Sequence, residues 1–178
     1  MIIIYKLITN SLKDVCIVLR NITTKIYLKW IESKGFVHGR NFNLEKGANI
    51  DSAFCKYISV GHNVTLAKDV YILAHDASMK KKLGKTKIGN VIIGNNVFIG
   101  ARTVILPGVR IGNDTIIAAN STVTRCIPDG QVWGGTPAKY IMDIENFLDK
   151  HSKQMIDNTV LKGEALKRLK SKDTIYID

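Results

Sequence analysis

One histidine stands out by its place in the chain. In the stretch VYILAHDASMKKKLG, residues 70–84, a six-residue rhythm present on both sides stops at His75 and runs into lysines at 80, 81 and 82, with two more at 85 and 87. Imidazole changes charge between about pH 5 and 8, so a histidine placed at such a departure can take a proton from a reacting hydroxyl and return it to a leaving group. The plainer alternative is a solvated loop residue. Asp76 follows directly and an acid can orient an imidazole, yet adjacent side chains on an extended segment point to opposite sides. The lysines suit an anionic ligand or, more simply, form a solvated charge run.

The other reactive side chains narrow the field. Cys16, Cys55 and Cys126 are an odd number, widely spaced and without a C-x-x-C pair, which indicates neither a disulfide framework nor a zinc site and fits a reducing compartment. At 178 residues the chain is expected to hold one main domain with terminal additions. The opening MIIIYKLI has no basic stretch before it and is cut by Lys6 and Lys13, so it reads neither as a signal peptide nor as a membrane span, and a cytoplasmic protein is expected. The net charge of +11 suggests anionic partners: nucleic acid, an anionic lipid surface or a phosphorylated cofactor. Nucleic acid is not carried forward as a partner.

Three regions position these residues. In the first, residues 1–41, apolar groups at Ile4, Ile8, Leu12, Val15, Leu19, Ile22, Ile26 and Trp30 recur every three or four places and predict an amphipathic helix. Lys6, Lys13 and Arg20 share one of its faces. The apolar stripe is expected to pack on the rest of the protein with the lysines solvated; a peripheral membrane contact through this basic helix is the other reading.

The second region, residues 42–142, carries an internal repeat. Aliphatic residues followed by a small one recur at Val60-Gly61, Leu66-Ala67, Ile93-Gly94, Ile99-Gly100, Ile111-Gly112 and Ile117-Ala118, with Ile72, Ile105 and Val123 keeping the beat. The fifth place of each unit is β-branched or small: Val64, Val70, Val97, Thr103, Val109, Thr115, Ser121. A period of six matches neither a helix nor an ordinary strand, but it suits a parallel β-helix, an all-β solenoid in which the aliphatic residues point inward and stack coil on coil. The interval from 72 to 93 is not a multiple of six, so residues 76–87 are expected to leave the prism as a loop, with His75 at its root. In the third region, residues 143–178, Ile144, Phe147, Leu148 and His151 begin a helical spacing that predicts a C-terminal helical cap on the open end. The basic tail from Lys162 to Lys172 has no assigned role.

The block VIIGNNVFIGARTVILPGVRIGNDTIIAANSTVTRCIPDGQVWGGTPAKYI, with AHDAS upstream, resembles the hexapeptide-repeat O-acetyltransferases: the galactoside, maltose, capsular-polysaccharide and streptogramin acetyltransferases. The resemblance covers about residues 42–142. It implies a left-handed parallel β-helix, a homotrimer with active sites in the clefts between subunits, and acetyl-CoA as acyl donor, with no metal. It implies His75 as catalytic base, acting by direct transfer without a covalent intermediate. The coenzyme contacts that it implies fall on Ala101, Ala119, Thr124, Arg125 and Lys139: backbone near Ala101 and Ala119 along the pantetheine arm, the Ala101 amide also as an oxyanion donor, and Arg125 and Lys139 toward phosphates. A further basic residue found in such proteins three places after Lys139 is Met142 here.

The expected function is O-acetylation of a sugar hydroxyl, in bacterial surface-polysaccharide synthesis. Serine- and streptogramin-type acetyltransferases are the alternatives of the same fold, and a non-catalytic β-helix scaffold the alternative of another class. Carbonic anhydrases that share this solenoid need three histidines on zinc, and His38, His62, His75 and His151 lack the closely spaced pair.

Overall fold

The computed structural model of the protein describes residue 15 and residues 22–152. The expectations that fall on residues 1–14, 16–21 and 153–178, among them most of the N-terminal stripe, Cys16 and the basic tail, lie outside these described residues. A helix over residues 22–33 (α1) leads into strands β1 (Val37–His38), β2 (Asn43–Leu44) and β3 (Asn49–Ile50), and then into a 3-10 turn at Cys55–Tyr57. A second round follows with β4 (Ile58–Val60), β5 (Thr65–Leu66) and β6 (Tyr71–Ile72). An excursion made of β7 (His75–Asp76), α2 (Lys80–Leu83) and β8 (Lys87–Ile88) interrupts the series. It resumes with β9 (Val91–Ile93), β10 (Phe98–Ile99), β11 (Val104–Ile105), β12 (Arg110–Ile111), β13 (Ile116–Ile117) and β14 (Thr122–Val123). β15 (Gln131–Gly134), β16 (Lys139–Asp143) and α3 (Ile144–Ser152) end it.

These strands stack in parallel into three faces. The first is β1-β4-β9-β12, the second β2-β5-β10-β13-β15-β16 and the third β3-β6-β11-β14, with only β16 antiparallel to its neighbour. The result is a parallel β-solenoid. Pairing already begins at Val37, which stands opposite Ser59, ahead of the expected start at residue 42.

Two side chains of each six-residue unit fill the interior. The aliphatic position is buried throughout the repeats, from Val60, Leu66 and Ile72 to Ile93, Ile99, Ile105, Ile111, Ile117 and Val123. The fifth position is buried as well, from Val64 to Ser121. Where that position is polar, its hydroxyl is satisfied: Thr103 Oγ1 donates to Ala118 O at 3.1 Å and Ser121 Oγ donates to Ala118 O at 2.6 Å. A buried hydroxyl without a partner would cost free energy that a small solenoid cannot spare.

The edge between the first and second faces is built differently. Asn41, Asn63, Asn96 and Asp114 all adopt φ between 51° and 56°, a left-handed conformation that short polar side chains tolerate. Their side chains form a ladder, each amide donating to the next residue's Oδ1 at 2.8 to 2.9 Å. Beside it the coils approach so closely that a Cβ on Gly94 would sit 2.8 Å from the backbone nitrogen of Asn113.

Coil length varies, and the variation places the functional residues. Ladder partners are 22 residues apart in the first step, 33 in the second and 18 in the third, and in the neighbouring column Asn113 and Asp129 are 16 apart. Eighteen is three units of six. The surplus of both longer coils lies at the edge between the third and first faces: residues 51–57 in one, residues 73–90 in the other. The latter surplus projects as an arm in which His75 pairs with Ile88 and Asp76 with Lys87, and Gly89 N–H donates back to Ala74 O at 3.0 Å.

The amino-terminal end differs from expectation. Ile22, Ile26 and Trp30 do not pack on the solenoid; they are 48%, 62% and 46% exposed. The inward side of α1 is instead Tyr27, Leu28 and Ile31. Ile31 is fully buried, and the Tyr27 hydroxyl donates to Ile50 O at 3.1 Å. Positions 27 and 31 lie one turn apart on the helix, so they meet the first coil together. At the other end α3 lies against β15 and β16 with Ile144, Phe147 and His151 half-buried, and none of its residues is fully buried.

Two measurements check this architecture. Gly94→Val should lower stability in urea by about 1–3 kcal/mol, because backbone rather than a movable side chain occupies the space. Asp129 accepts from Asn113 N–H and from Asn113 Nδ2, and these hydrogen bonds hold its carboxyl below its ordinary 3.8. Its folded value is depressed, so its contribution to stability is present above pH 3.8 and is lost as the pH falls further. Asp129→Asn should flatten that acid limb of stability against pH, and an unchanged limb would assign it to other carboxylates.

Candidate functional site

His75 sits where two surpluses of chain meet. Ile50 pairs with Ile72, so the residue after each strand stands in the same column, and Asp51 from the first long coil lies against Ala74 and His75 from the next. The Asp51 side chain is only 4% exposed. Its Oδ2 accepts from Ala74 N–H at 3.1 Å and from His75 Nδ1–H. Phe54, on the same surplus, stacks on the imidazole with ring centroids 4.5 Å apart and an interplanar angle of 30°. The imidazole is held at one nitrogen and on one face.

The chemistry follows from which nitrogen is held. A proton on Nδ1 directed at a carboxylate leaves Nε2 with its lone pair, the form that can accept a proton. Should Nε2 take one, the buried Asp51 carboxylate offsets the new positive charge. The His75 side chain is 32% exposed, which leaves it open to a ligand.

Asp76 does not take this part. Its Oδ1 accepts from Ser78 N–H at 2.8 Å in a local turn, and these Ser78 contacts, with Lys87 and His75 adding, hold its carboxyl below the ordinary value. Asp51 and Phe54 are the site residues that the pattern of His75 and its neighbours does not reveal. One signal was present: Leu44-Glu45 and Ile50-Asp51 are six apart and keep the repeat, but each carries an acid where the later coils carry Ala67, Gly100 and Ala118 in the one column and Leu73, Leu106 and Thr124 in the other. The lysines at 80, 81, 82, 85 and 87 are all exposed on the arm.

The remaining site residues divide between two edges. Thr124 and Arg125 are exposed on the edge that carries His75, two coils further along, roughly 10 Å at about 4.8 Å per strand spacing. Ala101 and Ala119 lie on the other side of the third face, on its edge with the second, where Asn120 N–H donates to Ala101 O at 2.7 Å. Lys139 belongs with them: it pairs with Gly134, which stacks so tightly on Ala118 that a Cβ there would lie 2.9 Å from the alanine's. Met142, in β16, is half-buried and pairs with Val132. One chain therefore presents the expected residues on two edges, separated by the width of the third face.

Among the described residues there is no group of three or more His, Cys, Asp or Glu side chains able to hold a metal, and Cys55 and Cys126 are free thiols. No helix among them is long and apolar enough to cross a membrane.

Residues 90–125 match the family model of the bacterial transferase hexapeptide (six repeats). This stretch carries the hexapeptide repeat. The hexapeptide chain is also 37% identical over 116 residues to a galactoside O-acetyltransferase of Escherichia coli (strain K12), a match covering 64% of this chain and 56% of that protein. Among solved structures it resembles a maltose O-acetyltransferase from Clostridium difficile 630, with TM-score 0.54, 36% identity, and coverage of 61% of this chain and 59% of that one. It also resembles a galactoside acetyltransferase in complex with coenzyme A, with TM-score 0.51, 28% identity, and coverage of 64% and 62%. The chain spans about half the length of the curated relatives it matches.

Removing the carboxylate isolates its role. In Asp51→Ala the buried Ala74 N–H loses its acceptor, at a cost of about 1–3 kcal/mol in stability. Nitrogen NMR of histidine-labelled protein should show the neutral His75 ring protonated on Nδ1 in the wild type and shifted toward the Nε2–H tautomer in the variant. An unchanged tautomer would mean that Asp51 does not orient the ring.

Proposed function

We propose that this protein is an acetyl-CoA-dependent O-acetyltransferase acting on a sugar hydroxyl, in the cytoplasm, in bacterial surface-polysaccharide synthesis. The observation that carries this reading is the His75–Asp51 pair on a hexapeptide solenoid, with Nε2 left as acceptor. The sugar is supported by the likeness to galactoside and maltose O-acetyltransferases, and the donor by the likeness to a galactoside acetyltransferase in complex with coenzyme A.

In this reading acetyl-CoA supplies a thioester carbonyl as electrophile. His75 Nε2 takes the proton of the acceptor hydroxyl as its oxygen bonds to that carbonyl carbon, and Asp51 balances the imidazolium that forms. As the carbon–sulfur bond breaks, the same proton passes to the departing sulfur and the ring is neutral again. The Ala101 amide meets the developing oxyanion. The residues present suit such a donor: Ala101 and Ala119 bring no bulk to their edge, so a thin arm can run along the backbone, while Thr124, Arg125 and Lys139 are exposed and the last two are cationic.

The division into two half-sites supports a homotrimer of left-handed β-helices. If His75 and Ala101 act on one thioester, they come from neighbouring copies, with the His75 edge of one chain facing the Ala101 edge of the next.

A thiol-release assay with acetyl-CoA against a panel of sugars, nucleotide sugars, serine and streptogramins tests this. His75→Ala should lower kcat by about 10²–10⁴-fold with coenzyme A binding retained by calorimetry. Asp51→Ala should lower kcat with little change in KM. Near-normal turnover in His75→Ala would remove the histidine from its role. No turnover across the panel, together with no coenzyme A binding, would favour a scaffold.

A further inference from the structure

The outward face of α1 is the strongest surface feature that the acyl-transfer site leaves unused. Tyr27, Leu28 and Ile31 bind the helix to the first coil, which fixes its rotation and turns Ile22, Ile26 and Trp30 away from the protein. These three lie along one stripe, four residues apart. On the helical wheel Lys29 and Lys25 fall beside Ile22, on the side toward a groove of about 710 Å³ between α1 and the second face. Lys25, Lys46 and Lys68 line this groove with Glu45 as its one acid, leaving it net cationic. At the stripe's end Lys34 Nζ lies 3.9 Å from the centroid of the Trp30 ring. An indole with an ammonium beside it suits a boundary between hydrocarbon and water.

We propose that this face docks on an anionic lipid surface, with Ile22, Ile26 and Trp30 entering the headgroup boundary and Lys25, Lys29, Lys46 and Lys68 meeting lipid phosphates. Charge selects this occupant over another copy of the chain. The only acid in residues 22–34 is Glu32, and its Oε1 already accepts from His38 Nε2 at 2.7 Å. Two such faces brought together would oppose lysine to lysine, whereas a lipid surface supplies the missing anions. The sequence upstream keeps the same character, with Ile4, Ile8, Leu12 and Leu19 at helical spacing, Lys6, Lys13 and Arg20 among them, and Asp14 as the one acid. A polar helix face that merely needed solvation would not carry three large apolar residues at this spacing. The inference stands apart from the acyl-transfer reading, since none of these residues belongs to either half-site.

The test is vesicle co-sedimentation of the full chain with phosphatidylcholine, and with one part phosphatidylglycerol to two parts phosphatidylcholine, at low and high salt. Binding is expected to the anionic vesicles only and to weaken in high salt, with a blue shift of tryptophan emission that Trp30→Phe removes. Ile26→Asp, and separately Lys25→Glu with Lys29→Glu, should each weaken binding at least about tenfold while circular dichroism and sedimentation mass stay unchanged. No binding to anionic vesicles, equal binding to neutral ones, or a change in oligomeric mass in Ile26→Asp would overturn the proposal, the last by assigning the face to self-association.

Discussion

The stacking register of the coils is the constraint from which the rest follows. Each strand holds two or three residues in most coils and gains little alone, so its position is set by the pairing above and below it and by the inward aliphatic side chain. Leu44, Leu66, Ile99 and Ile117 stand in one column, and Ile50, Ile72, Ile105 and Val123 in another. A side chain that follows one of these residues inherits a defined height and edge. Asp51 and His75 meet although they are 24 residues apart, because Ile50 and Ile72 are paired.

Such a scaffold tolerates additions only at its edges. An insertion within a face would break the aliphatic column and leave ladder hydrogen bonds unpaired, whereas one at an edge leaves both intact. Both insertions here use the same edge in successive coils. The first brings a buried carboxylate and an aromatic ring, the other a histidine and a cationic arm. Neither is a site by itself. Stacked, they give an imidazole whose tautomer and ring plane are both set, beside a buried carboxylate.

The protein's surface divides along similar lines. The solenoid's edges carry the residues of the proposed site, and the basic arm and the amino-terminal helix carry much of the positive charge. Helix α1 is amphipathic twice over: one apolar side closes the first coil and the opposite one faces outward.

What was legible in the sequence was the solenoid, because a period of six leaves a trace in every unit, and the place of His75, because the period stops there. Cationic residues at 125 and 139 were legible only through family likeness. Asp51 was not found, although an acid in a corner slot was visible, because nothing local says which later residue will stand above it. The face that α1 buries was misread for a related reason. Spacing identifies an apolar stripe, but Tyr27, Leu28 and Ile31 form another, and the choice between them depends on the shape of the first coil. The sequence by itself determined the repeat and its interruption, since both are properties of neighbours along the chain. Only the tertiary structure decided which insertion lies over which, which edge each side chain occupies and which way the helix is turned, because those depend on pairings across 22 and 33 residues.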